Sequence, residues 1–490
     1  MRSWRNALVA VTSLLVGASV ATGQTWQSLT NQPTFSAGAM LLLTDGTVLV
    51  HAEQNDSQNW YKLTPDVNGS YLNGTWTQVA SLPAGYAPLY FSSAVLPDGR
   101  VIIEGGEYNN LSPVWTNQGA IYDPVADRWT AVAPPAGWKY IGDAPATVLA
   151  NGIYLQSSCC TKESALLDPS TLTWTSTGAG KFDVFDEENW TLLPSGQVLT
   201  VDAYVFQYDA TGTNSELYTP GTGTWSSAGS TVVQLWDSCR GAGQASYEVG
   251  PAVLRPDKTV FATGANRCGA AHTAIFDTRT GTWTAGPDFP GTLGIADGPA
   301  ALETNGNVLM MTSPLVFKSG AKFVEWNGSS LTKIPGPPGL SSDSSYYGHF
   351  LQLPTGQLLF TDFSSDAEVF TPGGSYDPAW QPTVARAPGT VTRGGTYTIS
   401  GTQFNGLSQG ATYGDDYQSA TNYPVVRLVN LGTGHVFYCR THDHSTMAVA
   451  TGSKRVSTRF DVPADAETGA SQLFVVANGI PSAPVGVTVQ

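Results

Sequence analysis

The sequence predicts an all-β protein in which a seven-bladed β-propeller is followed by a smaller β-sandwich. Three features predict this fold: a hairpin turn that recurs seven times, a second recurring motif that ends in tryptophan, and a change of pattern near residue 380. The 53 glycines and 31 prolines among the 490 residues agree with a fold that is rich in turns.

The first recurring feature is a two-residue turn between two apolar runs. It is found at Asp45-Gly46, Asp98-Gly99, Asn151-Gly152, Ser195-Gly196, Asp257-Lys258, Asn305-Gly306 and Thr355-Gly356. Asp-Gly and Asn-Gly in this setting favour type I′ hairpins, in which both turn residues take positive φ. Each turn therefore predicts the inner hairpin of one structural unit.

The second recurring feature is an aromatic residue or leucine that precedes a tryptophan by a short, turn-like stretch. It is found at Tyr122 before Trp129, Leu167 before Trp174, Tyr218 before Trp225, Phe276 before Trp283 and Phe370 before Trp380. We expect these tryptophans to pack between neighbouring units. Four strands per unit and a period of about 50 residues are typical of kelch-type propeller blades, and seven units close a ring without exposed edges.

The N-terminus is interpreted as a secretory signal peptide over residues 1–23. Arg2 and Arg5 precede an apolar run over 7–20, and small residues follow before Gln24. A membrane anchor is the alternative, but the run is shorter than the roughly 20 residues of a spanning helix. We therefore expect a secreted, extracellular protein.

The charge of the chain excludes two classes of partner. With 23 lysines and arginines against 38 aspartates and glutamates, the formal charge is −15, which repels nucleic acid and anionic membranes. We expect a monomer whose partner is an extracellular carbohydrate or another small molecule.

Five cysteines in a secreted chain indicate disulfides. We expect Cys239 to pair with Cys268, because both lie in long loops of adjacent units. Cys159 and Cys160 are neighbours, so either a vicinal disulfide or separate thiols fit the sequence. Cys439 has no evident partner.

The repeat pattern ends near Trp380, and residues 382–389 have the composition of a linker. Alternating strand residues and turns then continue for about 100 residues, the size and pattern of an immunoglobulin-like β-sandwich. The predicted domains are therefore a propeller over residues 24–380 and a sandwich over residues 384–490.

Candidate site residues follow from the propeller geometry, because the residues that precede each innermost strand surround one mouth of the central channel. Counting nine positions back from each turn gives Ala37, Tyr90, Asp143, Glu187, Val249, Asp297 and Tyr347. Further polar or aromatic residues lie close to these positions, namely Glu188, Trp190, Tyr247, Glu248, Tyr346 and His349.

The types of these residues indicate several chemistries. Carboxylates whose pKa values are separated by burial and repulsion serve as general acids and bases, and tyrosines with histidine and carboxylates also hold metals. The candidate catalytic residues are Asp143, Glu187, Glu188, Asp297, Tyr346 and Tyr347. The candidate substrate-binding residues are Tyr90, Trp190, Tyr247 and Glu248. For any one of them alone, a structural hydrogen bond is the alternative.

A further signal is the His-Asp-His segment at His442 to His444 in the predicted sandwich. On a strand, His442 and His444 would point to one face, which suits a metal site. The alternative is a solvated hairpin.

The signal peptide, seven kelch-like units and terminal sandwich together resemble the galactose oxidase and glyoxal oxidase family of secreted copper radical oxidases. The segment from Tyr346 to Gly356 is similar to the one that carries the family's tyrosine and histidine ligands. The segment from Thr441 to Ser445 is similar to the one that carries its sandwich histidine. The resemblance implies a candidate metal site made of Tyr346, His349 and either His442 or His444, for which copper is an open alternative.

The resemblance fails where the family's radical cofactor forms. Ser92 stands at the position of the cross-linking cysteine, and Asp143 stands at the position of the radical tyrosine. Without that cysteine and tyrosine, we do not expect the radical cofactor.

Several functions remain compatible with the sequence. The first is a galactose-oxidase-like protein that binds or acts on extracellular carbohydrate without radical chemistry. The alternatives are a glycoside hydrolase or polysaccharide lyase that uses the carboxylates, tyrosines or histidine of the mouth, a copper oxidase with an altered metal site, and a structural or protein-binding propeller.

Overall fold

The computed structural model describes residues 23–54, 57–204, 212–237 and 247–490. These residues form β-strands joined by turns, with short 3₁₀ helices at Leu340–Ser342, Ser345–Tyr347 and Pro378–Trp380. The all-β prediction is therefore confirmed. Residues 1–22, which hold nearly all of the expected signal peptide, lie outside the described residues. Within the described part of the chain, no helix is long and apolar enough to cross a membrane.

The described residues hold six four-stranded antiparallel sheets and one six-stranded sheet built around the same four-stranded plan, here named blades 1 to 7, with the innermost strand given first. Blade 1 consists of Ala37–Leu42, Val48–Ala52, Trp60–Thr64 and Thr75–Gln78. Blade 2 consists of Ser92–Val95, Val101–Glu104, Gly119–Asp123 and Arg128–Val132. Blade 3 consists of Ala146–Val148, Tyr154–Ser157, Ser164–Asp168 and Thr173–Thr177. Blade 4 consists of Trp190–Leu192, Val198–Val201, Asn214–Thr219 and Thr224–Ser230.

The last three blades follow the same plan with additions. Blade 5 consists of Val249–Leu254, Thr259–Gly264, Thr273–Asp277 and Thr282–Ala285. Blade 6 consists of Ala300–Leu302, Val308–Pro314, Lys322–Trp326 and Leu331–Ile334, with Leu293–Gly294 paired to its second strand. Blade 7 consists of His349–Gln352, Leu358–Thr361, Glu368–Thr371 and the N-terminal strand Thr25–Ser28. A small sheet beside blade 2 consists of Pro88–Leu89, Tyr108–Asn109 and Ser112–Pro113.

The blades close into a ring. Each innermost strand contacts the innermost strands of the two neighbouring blades, and that of blade 7 contacts that of blade 1. The inner strands are buried on both faces, as Val48–Ala52 and Val101–Glu104 illustrate, and their apolar side chains form the core between blades. Because Thr25–Ser28 supplies the outer strand of blade 7, the two ends of the repeat array are held in one sheet.

The seven turns share one conformation, which differs from the expected type I′ turn. In each turn only the second residue has positive φ, as in Gly46 (78°) and Lys258 (69°), and the amide of that residue donates to the carbonyl three residues earlier. This is a type I turn followed by a left-handed residue, a common three-residue hairpin loop. The type I′ prediction was wrong, although the turn positions were right.

The recurring tryptophans join neighbouring blades, as expected. The indole N–H of Trp129 donates to the Ala80 carbonyl at 3.0 Å, that of Trp174 to the Ala133 carbonyl at 2.7 Å, and that of Trp283 to Ser215 Oγ at 2.9 Å. Trp380 does not belong to this series, because it lies in a 3₁₀ helix outside the blades. Trp26 on the N-terminal strand takes that place in blade 7, and its indole donates to the Pro335 carbonyl of blade 6 at 2.9 Å.

The C-terminal part forms one hydrogen-bonded path of strands. The strands are Thr383–Arg386, Thr390–Val391, Thr396–Thr402, Val425–Asn430, Val436–His442, Val456–Asp461, Gly469–Ala477, Ile480–Pro481 and Val485–Val489. Thr383–Arg386 and Thr390–Val391 lie at opposite ends of the path although only residues 387–389 separate them, so the sheet must fold back on itself. It encloses its own apolar core. The immunoglobulin-like classification and the domain boundaries stay predictions.

Residues 403–424 leave this sheet and enter the propeller; we name them the axial loop. Ala411–Thr412 pairs with Ala300–Leu302, so the loop adds a strand to the inner edge of blade 6. Its hydrogen bonds also reach blades 1, 2, 3, 4 and 7; for example, Ser419 Oγ donates to the Met40 carbonyl at 3.1 Å, and Gln409 Oε1 accepts from the Leu192 amide at 2.8 Å. The central channel is thus filled from the C-terminal side.

The cysteines agree in part with the sequence. Cys159 and Cys160 form a vicinal disulfide, one of the two arrangements left open, and Cys439 is a buried free thiol. Cys239, the expected partner of Cys268, lies outside the described residues.

Candidate functional site

A cavity of about 380 Å³ lies at the propeller mouth opposite the seven turns, above the tip of the axial loop. Its lining residues are Tyr90, Glu107, Tyr108, Asp143, Glu187, Glu248, Asp297, Phe317, Tyr346, Asp415 and Asp416. Seven of these eleven side chains are carboxylic acids and four are aromatic. We name this site the acidic cavity.

The side chains reach the cavity because they sit where the chain enters an innermost strand. Tyr90, Glu187 and Asp297 precede the first strands of blades 2, 4 and 6, and their φ values are 52°, 58° and 51°. Non-glycine residues adopt this left-handed conformation rarely and at a cost in free energy, and such residues cluster at functional sites. The residues that lead into three of the innermost strands therefore share a backbone conformation that few non-glycine residues adopt.

The axial loop supplies the floor of the cavity with Asp415 and Asp416. It is anchored on both sides: the Tyr417 hydroxyl accepts a hydrogen bond from the Tyr90 amide at 2.7 Å, and the Tyr413 hydroxyl donates to the Tyr346 carbonyl at 2.7 Å. Asp415 and Asp416 are 4% and 1% exposed. Two carboxylates from the C-terminal part are thus fixed among five from the propeller.

The acidic groups of the cavity have no basic side chain among its described lining residues to balance their charge. None of the described residues that line it is lysine, arginine or histidine. Burial and the neighbouring acids raise the pKa of Asp297 to about 7, although a hydrogen bond with Glu248 acts in the opposite direction. Burial, with repulsion from nearby carboxylates, also raises the pKa of Glu187, Glu248 and Asp415 well above the usual range.

The carboxylates fall into two overlapping groups. One oxygen from each of Asp143, Glu187 and Asp415 lies within 4.8 Å of the other two, and the same holds for Glu187, Glu248 and Asp297. Oxygens of Asp143, Glu248 and Asp297 are buried without a hydrogen-bond partner among the described residues. Buried polar atoms are normally paired, so these oxygens are placed to receive a ligand.

Six residues proposed from the sequence meet at this cavity. They are Tyr90, Asp143, Glu187, Glu248, Asp297 and Tyr346. The structure brings them together, whereas the catalytic and binding roles assigned to them stay predictions.

Glu188 was placed wrongly. It points into blade 4, where it accepts from Lys181 Nζ at 2.8 Å and from Thr200 Oγ1 at 2.9 Å. Lys181 also contacts Asp183, Asp202 and Glu216, and its side chain is fully buried. Glu188 is therefore part of a buried ionic cluster and does not face the cavity.

Trp190, Tyr247 and Tyr347 also fail to line the cavity. Trp190 is 1% exposed and packs on Phe185 and Trp225 inside blade 4, so it offers no face to a ligand. The ring of Tyr247 packs on Tyr204 with a centroid distance of 4.5 Å, and that of Tyr347 packs on Tyr346 at 4.3 Å. These rings support the mouth from outside its lining.

The candidate copper site is not assembled. His349 is buried beneath the mouth, where it stacks on Tyr413 with a centroid distance of 5.2 Å, and burial lowers its pKa to about 4. His442 contacts Asp443 at 3.0 Å and Asp461 at 3.3 Å, and His444 contacts Thr458 at 2.9 Å.

The two sandwich histidines lie at the far end of the inner hairpins. The neighbouring amide of Thr441 donates to the Thr44 carbonyl beside the first turn, and the His444 amide donates to the Pro97 carbonyl beside the second. The axial loop enters the channel without a histidine, so Tyr346 and His349 cannot share a metal with His442 or His444. The ligand set implied by the resemblance does not fit this chain.

Ser92 does not take part in the site either. Its hydroxyl is buried, donates to the Ala144 carbonyl and accepts from Gln156 Nε2 at 2.8 Å. Asp143, by contrast, lines the cavity. The pair of positions that would form the radical cofactor is thus split between a blade interior and the mouth.

The sequence interpretation missed five lining residues: Glu107, Tyr108, Phe317, Asp415 and Asp416. Glu107 and Tyr108 follow the second strand of blade 2, and Phe317 follows that of blade 6. The count from each turn reached only residues that precede the first strand of a blade, so it did not include these three. Asp415 and Asp416 lie in a connection of about 20 residues between two strands of the sandwich, and loops of that length are often functional. Loop length was the signal that would have found them.

Comparisons with known proteins give weak similarities. No protein-family model matches the chain. The Kelch-like protein terF of Aspergillus terreus is 33% identical over 86 residues, which are 17% of this chain and 18% of that protein. The chain therefore spans less than a fifth of this curated relative.

Among solved structures, a fungal alcohol oxidase of the AA5 family in complex with copper covers 96% of this chain and 100% of its own, with a TM-score of 0.49 and 14% identity. Virginiamycin B lyase from Staphylococcus aureus covers 71% of this chain and 98% of its own, with a TM-score of 0.46 and 9% identity. The chain thus has partial similarity to a kelch-like protein and to an AA5 alcohol oxidase. No activity is carried over from these proteins.

Proposed function

We propose that this chain is a secreted protein that binds extracellular carbohydrate in the acidic cavity, without the radical chemistry of the copper oxidases it resembles. The observation that carries this proposal is the composition of the lining, in which seven carboxyl groups and four aromatic rings surround one open space. The carboxyl groups accept hydrogen bonds from hydroxyls, and the rings offer apolar faces.

The size of the cavity supports a small or terminal sugar unit. Its volume of about 380 Å³ lies in the range of roughly 300 to 1,000 Å³ that is usual for small-molecule sites. Phe317 is 38% exposed and packs edge-on against Tyr346 with a centroid distance of 5.5 Å. An exposed ring next to buried acceptors is the arrangement that a sugar with one apolar face and several hydroxyls requires.

Two features support the absence of radical chemistry. Ser92 cannot form a thioether, and no cysteine is among the lining residues of the cavity that the structure describes.

The disulfide Cys159–Cys160 agrees with an oxidising, extracellular location.

The test is a glycan array followed by titration calorimetry on any glycan that binds. Tyr108→Ala and Phe317→Ala should each weaken binding about tenfold or more, because burying a large apolar side chain against a ligand contributes about 1.5 to 3 kcal/mol. Phe182→Ala is the matched control, since Phe182 is 37% exposed and outside the cavity lining. Absence of binding to any glycan, or equal loss in Phe182→Ala, would contradict the proposal.

A second candidate function is glycoside hydrolysis, which the carboxylate spacing favours. One oxygen from each of Glu187, Glu248 and Asp297 lies within 4.8 Å of the other two, so these carboxyl groups are closer together than the roughly 6.5 to 9.5 Å of inverting enzymes, and retention is the outcome that remains. Burial raises the pKa of Asp297 to about 7, which suits a general acid.

Hydrolysis is tested by reducing-end release from the glycans that bind, with the product anomer followed by NMR. The expected result is retention of configuration and loss of activity in Asp297→Asn with binding preserved. Binding without any product release would leave the first proposal standing and remove this one.

A further inference from the structure

We propose that the acidic cavity binds a hard divalent cation, with calcium as the best fit, on carboxylate oxygens of Asp143, Glu187 and Asp415. This inference does not depend on the carbohydrate proposal, because it rests on the arrangement of the acids alone. The three residues come from the entries to blades 3 and 4 and from the axial loop. Their oxygens lie within 4.8 Å of one another, a spacing that a single ion can bridge.

The state of the Asp415 side chain is an independent observation that points to a ligand. Asp415 is 4% exposed and faces the cavity, and the charged groups around its carboxylate are other carboxylates. Asp143 Oδ1 is buried without a hydrogen-bond partner among the described residues, and so is Oε2 of the neighbouring Glu248, which is 6% exposed. A buried carboxylate is normally paired, because losing hydration without compensation is costly.

Blade 4 shows how this chain stabilises a comparable group of acids. Oxygens of Asp183, Glu188 and Asp202 also lie within 4.8 Å of one another, but Lys181 Nζ occupies the space between them. The acidic cavity has a group of the same kind, and none of its described lining residues is a cation. A bound metal ion would supply the missing positive charge.

The donor atoms decide which ion fits. Carboxylate oxygens suit hard ions, whereas copper and zinc favour imidazole and thiolate, which no described lining residue supplies. Calcium accepts six to eight oxygens in irregular geometry, and magnesium demands a near-regular octahedron and keeps its waters. Acids that come from three separate segments suit the more tolerant ion.

The ion would also join the two parts of the chain. Asp415 belongs to the axial loop, and Asp143 and Glu187 belong to the propeller, so one ion would tie the loop to the ring. The cavity leaves further coordination positions open towards solvent. Glu248 and Asp297 would remain beside the ion to contact a ligand.

The test is titration of the whole, metal-free protein with calcium, magnesium, manganese and copper chlorides in the absence of carbohydrate, with calorimetry and thermal unfolding as readouts. We expect about one calcium per chain and a rise in Tm with calcium concentration, because an ion that binds only the folded state stabilises it. Asp415→Asn and Glu187→Gln should each weaken calcium binding by at least about tenfold, the lower end of the losses seen even for outer-shell changes.

The control is Asp465→Asn, because Asp465 is an exposed aspartate of the C-terminal part. It should bind calcium like the wild type. Circular dichroism of the metal-free variants shows whether they fold. If Asp415→Asn does not fold, the calcium affinity of Glu187→Gln provides the test. Lack of calcium binding by the wild type, or equal affinity in the folded cavity variants, would overturn the inference. Glycan binding is measured again after calcium removal. If it persists, the calcium inference and the carbohydrate proposal can be judged separately.

Discussion

At the scale of single residues, the surroundings of each carboxylate decide its role. Glu187 and Glu188 are adjacent in sequence, but Glu187 turns into the acidic cavity and Glu188 turns towards Lys181. Glu187 has a left-handed backbone conformation, and its side chain and that of Glu188 therefore point in different directions. The sequence could place both residues at the mouth, yet it could not choose between them, because the choice depends on a lysine seven positions earlier, in the connection between blades 3 and 4.

Asp297 should make the stability of the protein depend on pH. Its native pKa of about 7 exceeds the ordinary value near 4, so between these values the folded state holds a proton that the unfolded state has released. Stability from this group is therefore present at low pH and is lost as pH rises towards about 7. The measurement is Tm in the presence of a chelator, as pH is raised from about 4 to about 7. The Tm of Asp297→Asn minus the Tm of the wild type should increase by a few °C over this range.

The comparison of variants is needed because His349 acts in the opposite sense. Burial lowers its pKa to about 4, so its contribution to stability is lost as pH falls below the ordinary value near 6.5. Asp465→Asn should track the wild type at every pH. A Tm difference for Asp297→Asn that does not vary with pH would show that Asp297 does not titrate as described.

Lys181 should be essential for stability. Its ammonium contacts Glu188 at 2.8 Å, Asp202 at 3.1 Å and Glu216 at 2.7 Å, and all these side chains are buried. Lys181→Met leaves these acids without a counter-charge and should cost about 3 to 5 kcal/mol in urea unfolding. Lys454→Met, at an exposed lysine, should change the free energy of unfolding by no more than about 0.5 kcal/mol. Equal stability of the two variants would contradict the description of the cluster.

At the scale of structural elements, the axial loop is the feature that makes the site. It fills the channel, carries Asp415 and Asp416, and fixes the backbone of Tyr90 and Tyr346 by hydrogen bonds. The turns and the tryptophan positions could be read from the sequence because local residue pattern determines them. The path of the axial loop could not, because its contacts join residues more than 300 positions apart, such as Tyr90 and Tyr417.

The same limit explains the error over the copper ligands. The histidine segment at His442 to His444 has a metal-like spacing, and the resemblance assigned it to the channel. The element that enters the channel is instead the connection before Val425–Asn430. Spacing identifies residues that share a face, but it does not reveal which loop of a domain faces its neighbour.

Tyr417→Phe tests the attachment of the axial loop. The variant leaves the Tyr90 amide without its acceptor and removes a weaker contact with Glu53 at 3.4 Å. An unpaired buried donor costs about 1 to 3 kcal/mol, so urea unfolding should show a loss in that range. Tyr61→Phe is the control, because the Tyr61 ring stacks on Phe35 away from the cavity. A loss no larger than that of the control would mean that the loop is held by its other contacts.

At the scale of the whole molecule, the closed ring positions residues from many blades around one mouth. The N-terminal strand completes blade 7, and Trp26 packs on Phe323 of blade 6 and on Phe360 and Phe370 of blade 7. The sequence predicted the ring and its repeat, but it assigned the last unit to Trp380. The pairing of the N-terminal strand with blade 7 could not be predicted from the local sequence pattern, because the two strands lie at opposite ends of the repeat array.

Trp26→Ala should loosen this closure. The loss of a large packed side chain should cost about 3 kcal/mol, and limited proteolysis should cleave the variant faster than the wild type. Trp115→Ala is the control, since Trp115 is 43% exposed and contacts Tyr140 outside the closure. If both variants resist protease equally, the N-terminal strand does not close the ring as described.

We expect the acidic cavity, built on carboxylates, to be the working site of this chain. The most direct measurement is a crystal structure of the protein grown with calcium, copper and an oligosaccharide that binds it. We expect a sugar ring against Tyr108 or Phe317, hydroxyls on Glu248 or Asp297, and calcium beside Asp415. A sugar bound on another surface, or copper held by Tyr346 and His349, would contradict it.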